Sequence, residues 1–212
     1  NVDGRGVADA QSEITTQLVG VYGDYTTDDY YIEGMVAYGR NEVTSDRLLD
    51  FGGLSLRAKG EFTSNQLQGK IGAGAPLKAG GMFITPNASL SYTTVQGQSF
   101  TETNAGSLNL AVDQDSTKVI LGQAGIKLHA NVKSDGGIWI PEFRANVMND
   151  FSSDEATSTS QFANGLGTAF NVTGADVAEL SGSLGVGMMY EVDNVKVGVS
   201  YDYVAKADYH GH

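Results

Sequence analysis

The chain has 212 residues, with 28 glycines, three prolines, no cysteine and 18% charged residues. Its formal net charge of −12 argues against a nucleic-acid partner, because binding phosphate rests on Lys and Arg neutralising the backbone. Without cysteine there is no disulfide framework, thiolate metal site or cysteine nucleophile. Glycine is enriched to roughly twice the usual ~7%, yet the scarcity of proline and the lack of a Gly-X-Y period exclude collagen. No run approaches the ~18 apolar residues of a transmembrane helix. Asn1 to Glu13 has neither the basic start nor the apolar centre of a signal peptide.

What organises the chain is a period of two. Ile14 to Tyr25 and Tyr30 to Asn41 read as a strand pair joined by Thr26 to Asp29, with the weakest alternation. Leu67, Gly69, Ile71, Ala73, Ala75 and Leu77 mark the next strand, and Lys78-Ala79-Gly80-Gly81 its turn. Met82, Ile84, Pro86, Ala88, Leu90 and Tyr92 then alternate with small polar residues. Ile120 to Val132 and Trp139 to Val147 form a third pair across the Lys133-to-Gly137 turn. Leu180 to Val192 and Val195 to Tyr203 form the last, and there the alternation is cleanest. The segments 42–66, 94–117 and 150–178 read as long polar loops.

These are eight strands of about 10 to 15 residues, against ~5–6 in soluble sheets. No segment carries a 3.6-residue period. The connections after Tyr25, Leu77, Val132 and Glu191 are short, and those after Asn41, Thr93 and Val147 are long. Short turns at one end and long loops at the other are the layout of an outer-membrane barrel. Its apolar face meets lipid and its polar face lines a lumen, whereas a soluble sandwich reverses the two. On the polar face lie Lys70, Lys127, His129, Glu142, Arg144, Lys196 and Asp202, the predicted pore-lining residues. Aromatics fall near both ends and predict two girdles. Tyr22, Tyr25, Tyr30, Tyr31, Trp139 and Tyr190 lie toward the short turns; Tyr38, Tyr92, Tyr201 and Tyr203 lie toward the long loops.

Several motifs stand in order along this framework. They are Tyr38-Gly39-Arg40-Asn41, Thr85-Pro86 with Leu90-Ser91-Tyr92, Phe100-Thr101-Glu102-Thr103-Asn104-Ala105-Gly106, Pro141 after Trp139-Ile140, and Tyr201-Asp202-Tyr203. Together they resemble the C-terminal translocator barrel of bacterial autotransporters (type Va secretion). The resemblance implies an all-β, antiparallel, up-and-down transmembrane β-barrel in the bacterial outer membrane. It also implies twelve strands, of which these eight match the fourth to the eleventh, so residues 1–212 read as one barrel domain incomplete at both ends. Its implied partners are the lipid bilayer, the protein's own passenger and the outer-membrane barrel-assembly machinery. Its implied role is export of the passenger to the cell surface.

Other candidate sites are weaker. Gly72-Ala73-Gly74 and Gly182 to Gly187 do not continue into a helix or a Gly-Lys-Ser/Thr, so neither reads as a phosphate loop. His210 and His212 near the chain end read as loop residues, not a metal pair. Asp113-Gln114-Asp115 and Asp150 to Glu155 read as solvated acidic loops, weak Ca²⁺ sites at most. Glu142 and Arg144, with Lys127 and His129 on the neighbouring strand, read either as ion pairs that hold the barrel or as groups that touch a passing chain. No catalytic site, cofactor, metal or small-molecule substrate is assigned. The alternative is a closed eight-stranded adhesin or structural barrel with binding carried by the three long loops.

Overall fold

The structure, a computed structural model, describes residues 10–152, 155–174, 178–206 and 209–211. Its wall begins with three long strands, β1 (Ala10–Thr26), β2 (Tyr31–Phe51) and β3 (Leu54–Gly74). A short β4 (Leu77–Ala79) turns into β5 (Met82–Val95). The next connection carries β6 (Ser99–Thr101), a 3-10 turn at Gly106–Leu108 and β7 (Leu110–Gln114). The wall resumes with β8 (Thr117–Ala130), β9 (Val132–Ser134) and β10 (Gly137–Asp150). After β11 (Thr157–Phe162) and β12 (Phe170–Thr173) it ends with β13 (Leu180–Val192), β14 (Val195–Lys206) and β15 (Tyr209–Gly211).

Every pairing is antiparallel. The main sheet runs β1-β2-β3-β5-β8-β10-β13-β14-β15, so long strands that follow one another also lie side by side. Its two ends do not pair with each other among the described residues, and the wall is an open half-barrel.

The turn chemistry matches the short end. Asp193, at φ 50°, carries β13 into β14, and Gly80, at φ 65°, carries β4 into β5. Both conformations are left-handed, which Asp tolerates and Gly adopts without strain.

One expectation is corrected. Segment 42–66 is not a loop: β2 and β3 each run for 21 residues and meet at Gly52 and Gly53, both with positive φ. At ~3.3 Å per residue such strands span about 70 Å, far beyond a hydrocarbon core of ~30 Å. The extension lies at the end opposite the short turns. There both faces carry polar residues, and hydropathy has no alternation to show.

Segments 94–117 and 150–178 are only partly loop. β6, β7, β11 and β12 pair as a separate four-stranded sheet in the order β12-β11-β7-β6, a cap on the wall. Backbone hydrogen bonds between Lys59 and Thr103, 3.0 and 2.8 Å, join it to β3.

Solvent preference separates the two faces. Val199 is 74% exposed, Val21 73% and Ile71 65%, while the buried apolar residues among those described are only Ala37, Ala58 and Ala105. A soluble sandwich places its large aliphatic side chains between sheets. Here they stand outward, as a lipid-facing wall requires.

Candidate functional site

Register places all seven predicted polar-face residues on one side of the sheet. Thr85 of β5 pairs with Lys127 of β8, Lys127 with Arg144 of β10, Arg144 with Gly185 of β13, and Gly185 with Asp202 of β14. The next rank holds Phe83, His129, Glu142 and Gly187. Lys70 faces the same side from β3, and Lys196 from β14.

This side is concave. Lys127 shares a hollow of about 560 Å³ with Tyr22, Glu33, Met35 and Lys70, although β5 separates its strand from theirs.

Within the concavity the charges pair. Arg144 donates from Nη2 to Asp202 Oδ2 at 2.8 Å and from Nε to Asp202 Oδ1 at 3.2 Å, and its Nη1 also holds Glu142. Lys127 Nζ stands 4.0 Å from Glu142. Gly185 lies between Arg144 and Asp202, and a β-carbon there would overlap Asp202 Oδ1 and sit 2.9 Å from Arg144 Nε. The missing side chain lets two charged groups meet across an intervening strand. Of the seven residues, the structure therefore gathers Lys127, Glu142, Arg144 and Asp202 into one network. Lys70 instead pairs with Glu33, and Lys196 with Glu191, each at 3.0 Å. His129 stacks on Phe83, rings 4.8 Å apart, and its Nδ1 and the Oγ1 of Thr85 are buried without a hydrogen-bond partner.

The predicted girdle residues Tyr38, Tyr92, Trp139, Tyr190, Tyr201 and Tyr203 lie on the opposite, convex side by register. Trp139 and Tyr190 face each other across β10 and β13, rings 4.5 Å apart. Tyr30 sits in the β1–β2 turn, packed near Tyr25. Tyr22 and Tyr31, grouped with the short-turn aromatics, instead face the concavity, where a β-carbon on Gly74 would lie 2.5 Å from the Tyr31 ring. On β2 the convex side changes from Ile32, Val36 and Tyr38 to Arg40, Glu42 and Thr44, so Tyr38 marks the upper edge of the apolar band.

The acidic loop residues have local partners. Asp113 accepts from Ser99, Asp115 from Thr157, and Asp150 from Ser152. No group of metal-binding side chains occurs among the described residues. Residues 153, 154 and 212 lie outside the described ones, as does the side chain of His210.

Two features escaped the sequence reading. Glu33 and Glu191 sit on strands whose alternation was visible, so their face was legible although their partners were not. The second is the pair of Arg47, within a supposed loop, and Glu102 of the Phe-Thr-Glu motif. Only the motif itself pointed there.

The profile of the autotransporter beta-domain family matches residues 1–202. The chain belongs to that family. The autotransporter β-domain described here is also similar to the translocator domain of the autotransporter NalP from Neisseria meningitidis, with a TM-score of 0.68 at 18% identity, over 98% of this chain and 66% of that one. It resembles the β-domain of the Bordetella autotransporter BrkA as well, with a TM-score of 0.62 at 17% identity, over 92% and 68% of the two chains. Among curated proteins, Outer membrane protein A of Rickettsia conorii is 22% identical over 201 residues, and its namesake from Rickettsia rickettsii 21%. The β-domain spans about a tenth of the length of these relatives, 10% and 9%.

Proposed function

We propose that this β-domain is the outer-membrane translocator of its own polypeptide, anchoring in the bilayer and letting a passenger reach the cell surface. The carrying observation is a wall with lipid-compatible aliphatic side chains on its convex side and a charged, hydrogen-bonded concavity on the other. Aliphatic residues anchor it, and the ladder of antiparallel bonds satisfies the backbone in a medium without water. The role is transport and anchorage rather than catalysis.

Open sheet edges cannot face hydrocarbon. The free edge of β1, and that of β14 over Val195 to Tyr203 where β15 does not reach, therefore support closure with further strands, in a barrel of about twelve whose lumen is wide enough for a polypeptide. The same edges support a need for the barrel-assembly machinery, which would shield them until closure. Residues 1–212 act as one part of that single domain, with Lys70, Lys127, His129, Glu142, Arg144, Lys196 and Asp202 lining its pore and the convex aromatics as its girdles.

The test is protease shaving of intact cells that produce the full-length polypeptide. Loss of the passenger with the barrel retained in the outer membrane is the expected result. A folded barrel whose passenger stays protected inside overturns the reading.

A further inference from the structure

The cap does not lie flat on the wall. Between them is a hollow of about 730 Å³, within the ~300–1,000 Å³ usual for small-molecule sites. Its floor holds a polar rank, Thr16, Asn41 and Ser64, side by side across β1, β2 and β3. Two residues further along the same strands, about 7 Å at ~3.3 Å per residue, stands an apolar rank of Ile14, Val43 and Phe62. The roof is the rank Gln114, Ser158 and Val172 of β7, β11 and β12. Phe100 of β6 also lines the hollow, its ring stacked on that of Phe62 at 4.6 Å.

The polar groups here are uncharged and retain bonding capacity. Thr16 Oγ1 donates to Asn41 Oδ1 at 2.8 Å, and Asn41 Nδ2 donates to Ser64 Oγ at 3.3 Å. That chain leaves the second amide N–H of Asn41 and the hydroxyl proton of Ser64 without a partner. Both residues are buried, at 6% and 5% exposure. The side chains of Gln66, Gln114 and Ser158 hold no hydrogen bond among the described residues. Asp115, the only charged residue of the lining, is already bonded to Thr157.

We propose that this hollow is a binding site for an uncharged saccharide. A sugar ring has C–H faces and a rim of hydroxyl groups, each of which both donates and accepts. Ile14, Val43 and Phe62 meet the faces, and the neighbouring amides and hydroxyls meet the rim. A charged ligand would be desolvated with no free counter-charge to receive it. A wholly apolar one would leave the polar rank covered and unpaired. An extended peptide binds by adding to the edge of a sheet, but β2 in the floor and β11 in the roof are each paired on both sides. They offer faces, not edges. Binding here needs neither a passenger nor its export, so it stands apart from the translocator reading.

Saturation-transfer NMR tests this on the full-length polypeptide, in a detergent without a sugar headgroup. The ligands are neutral trisaccharides of glucose, galactose, mannose and N-acetylglucosamine, with a sialylated trisaccharide and a neutral Gly-Ser peptide for comparison. Gln66→Leu removes an amide at nearly constant size, and Ser158→Trp fills the hollow from its roof. Gln123→Leu, on the concave side of β8 outside the hollow, is the control. Heat-dependent gel mobility checks that each variant folds, and Gln114→Leu replaces one that does not. At least one neutral trisaccharide should bind, with affinity reduced ten-fold or more by Gln66→Leu and Ser158→Trp and unchanged by Gln123→Leu. Competition by polysaccharide released from the producing cells then assigns the ligand to the same surface, and its failure to compete assigns the ligand to another source; both support the site. Transfer to the sialylated sugar or the peptide alone, transfer to no ligand, or equal binding by all the variants overturns it.

Discussion

Arg47 and Glu102, 55 residues apart in the chain, meet where the cap rests on the β2–β3 extension. Arg47 Nε donates to Oε1 at 3.0 Å and Nη2 to Oε2 at 2.5 Å, while the same Oε2 accepts the Leu110 N–H at 2.8 Å. Arg47 Nη2 also reaches the Leu108 carbonyl at 3.1 Å. The Glu102 side chain is only 8% exposed, so its charge depends on these donors. Beside them the rings of Phe62 and Phe100 stack at 4.6 Å.

Glu102→Ala therefore loosens the cap without touching the membrane wall. Removing one partner of a buried pair costs about 3–5 kcal/mol, and the 24% exposure of Arg47 places this case near the lower end. Hydrogen exchange at the Lys59 and Thr103 amides, which tie cap to wall, should speed up about 100-fold, since 1.4 kcal/mol is a factor of about ten. Unchanged protection at both amides would falsify this account of the cap.

Glycines on the two faces of the wall are not equivalent. Gly185→Ala drives a methyl group into the Arg144–Asp202 pair, whereas Gly69→Ala meets no atom within 4 Å. Overpacking costs typically about 1–3 kcal/mol. The urea midpoint of the folded barrel in detergent should fall for Gly185→Ala and hold for Gly69→Ala. Equal midpoints for the two variants count against a packed ion pair at Gly185.

Arg144 serves two carboxylates at once. Arg144→Gln leaves Glu142 with Lys127 at 4.0 Å as its remaining cation and leaves Asp202 without its pair. Asp202→Asn keeps Arg144 on Glu142, so it should be the milder change. A double-mutant cycle between the two sites should return a coupling of about 0.5–3 kcal/mol, as for residues in one network. Additive effects within error would show that the pair does not hold β10 and β14 in register.

The membrane position of the wall is open to direct measurement. Val186, on the convex side at the centre of β13, is 55% exposed. Val186→Arg should cost about 2–4 kcal/mol in a bilayer, the penalty for Arg near the midplane of a barrel's lipid face. Thr44→Arg, on the convex side of the β2 extension beyond Tyr38, should cost close to nothing. A small penalty at Val186 would move the apolar band away from β13.

The wall was legible because its two faces meet different media. Lipid on one side and a polar concavity on the other force a period of two, so Val195, Val197, Val199, Tyr201 and Tyr203 announce one face, and Lys196, Ser200 and Asp202 the other. Short turns such as Asp193-Asn194 and Gly80-Gly81 announce themselves through backbone chemistry. That much gave eight long strands, their order and the face of each charged residue, together with motifs that resemble one family. Beyond Tyr38 and Leu67 the signal stops. Ser45, Asp46, Lys59 and Glu61 are polar on both sides of continuing strands, and nothing in their hydropathy separates strand from loop.

The sequence by itself thus determined the class of wall, which face looks outward and which residues line the concavity, since solvent preference acts residue by residue along a strand. Only the tertiary structure decided which charges meet: Lys70 with Glu33, Arg144 with Asp202 across Gly185, Arg47 with Glu102. It alone showed that the connecting segments fold into a cap and leave a hollow against β1–β3. Such pairings join residues up to 58 positions apart. They are set by register, sheet curvature and the packing of one sheet on another, and these leave no periodic mark in the chain.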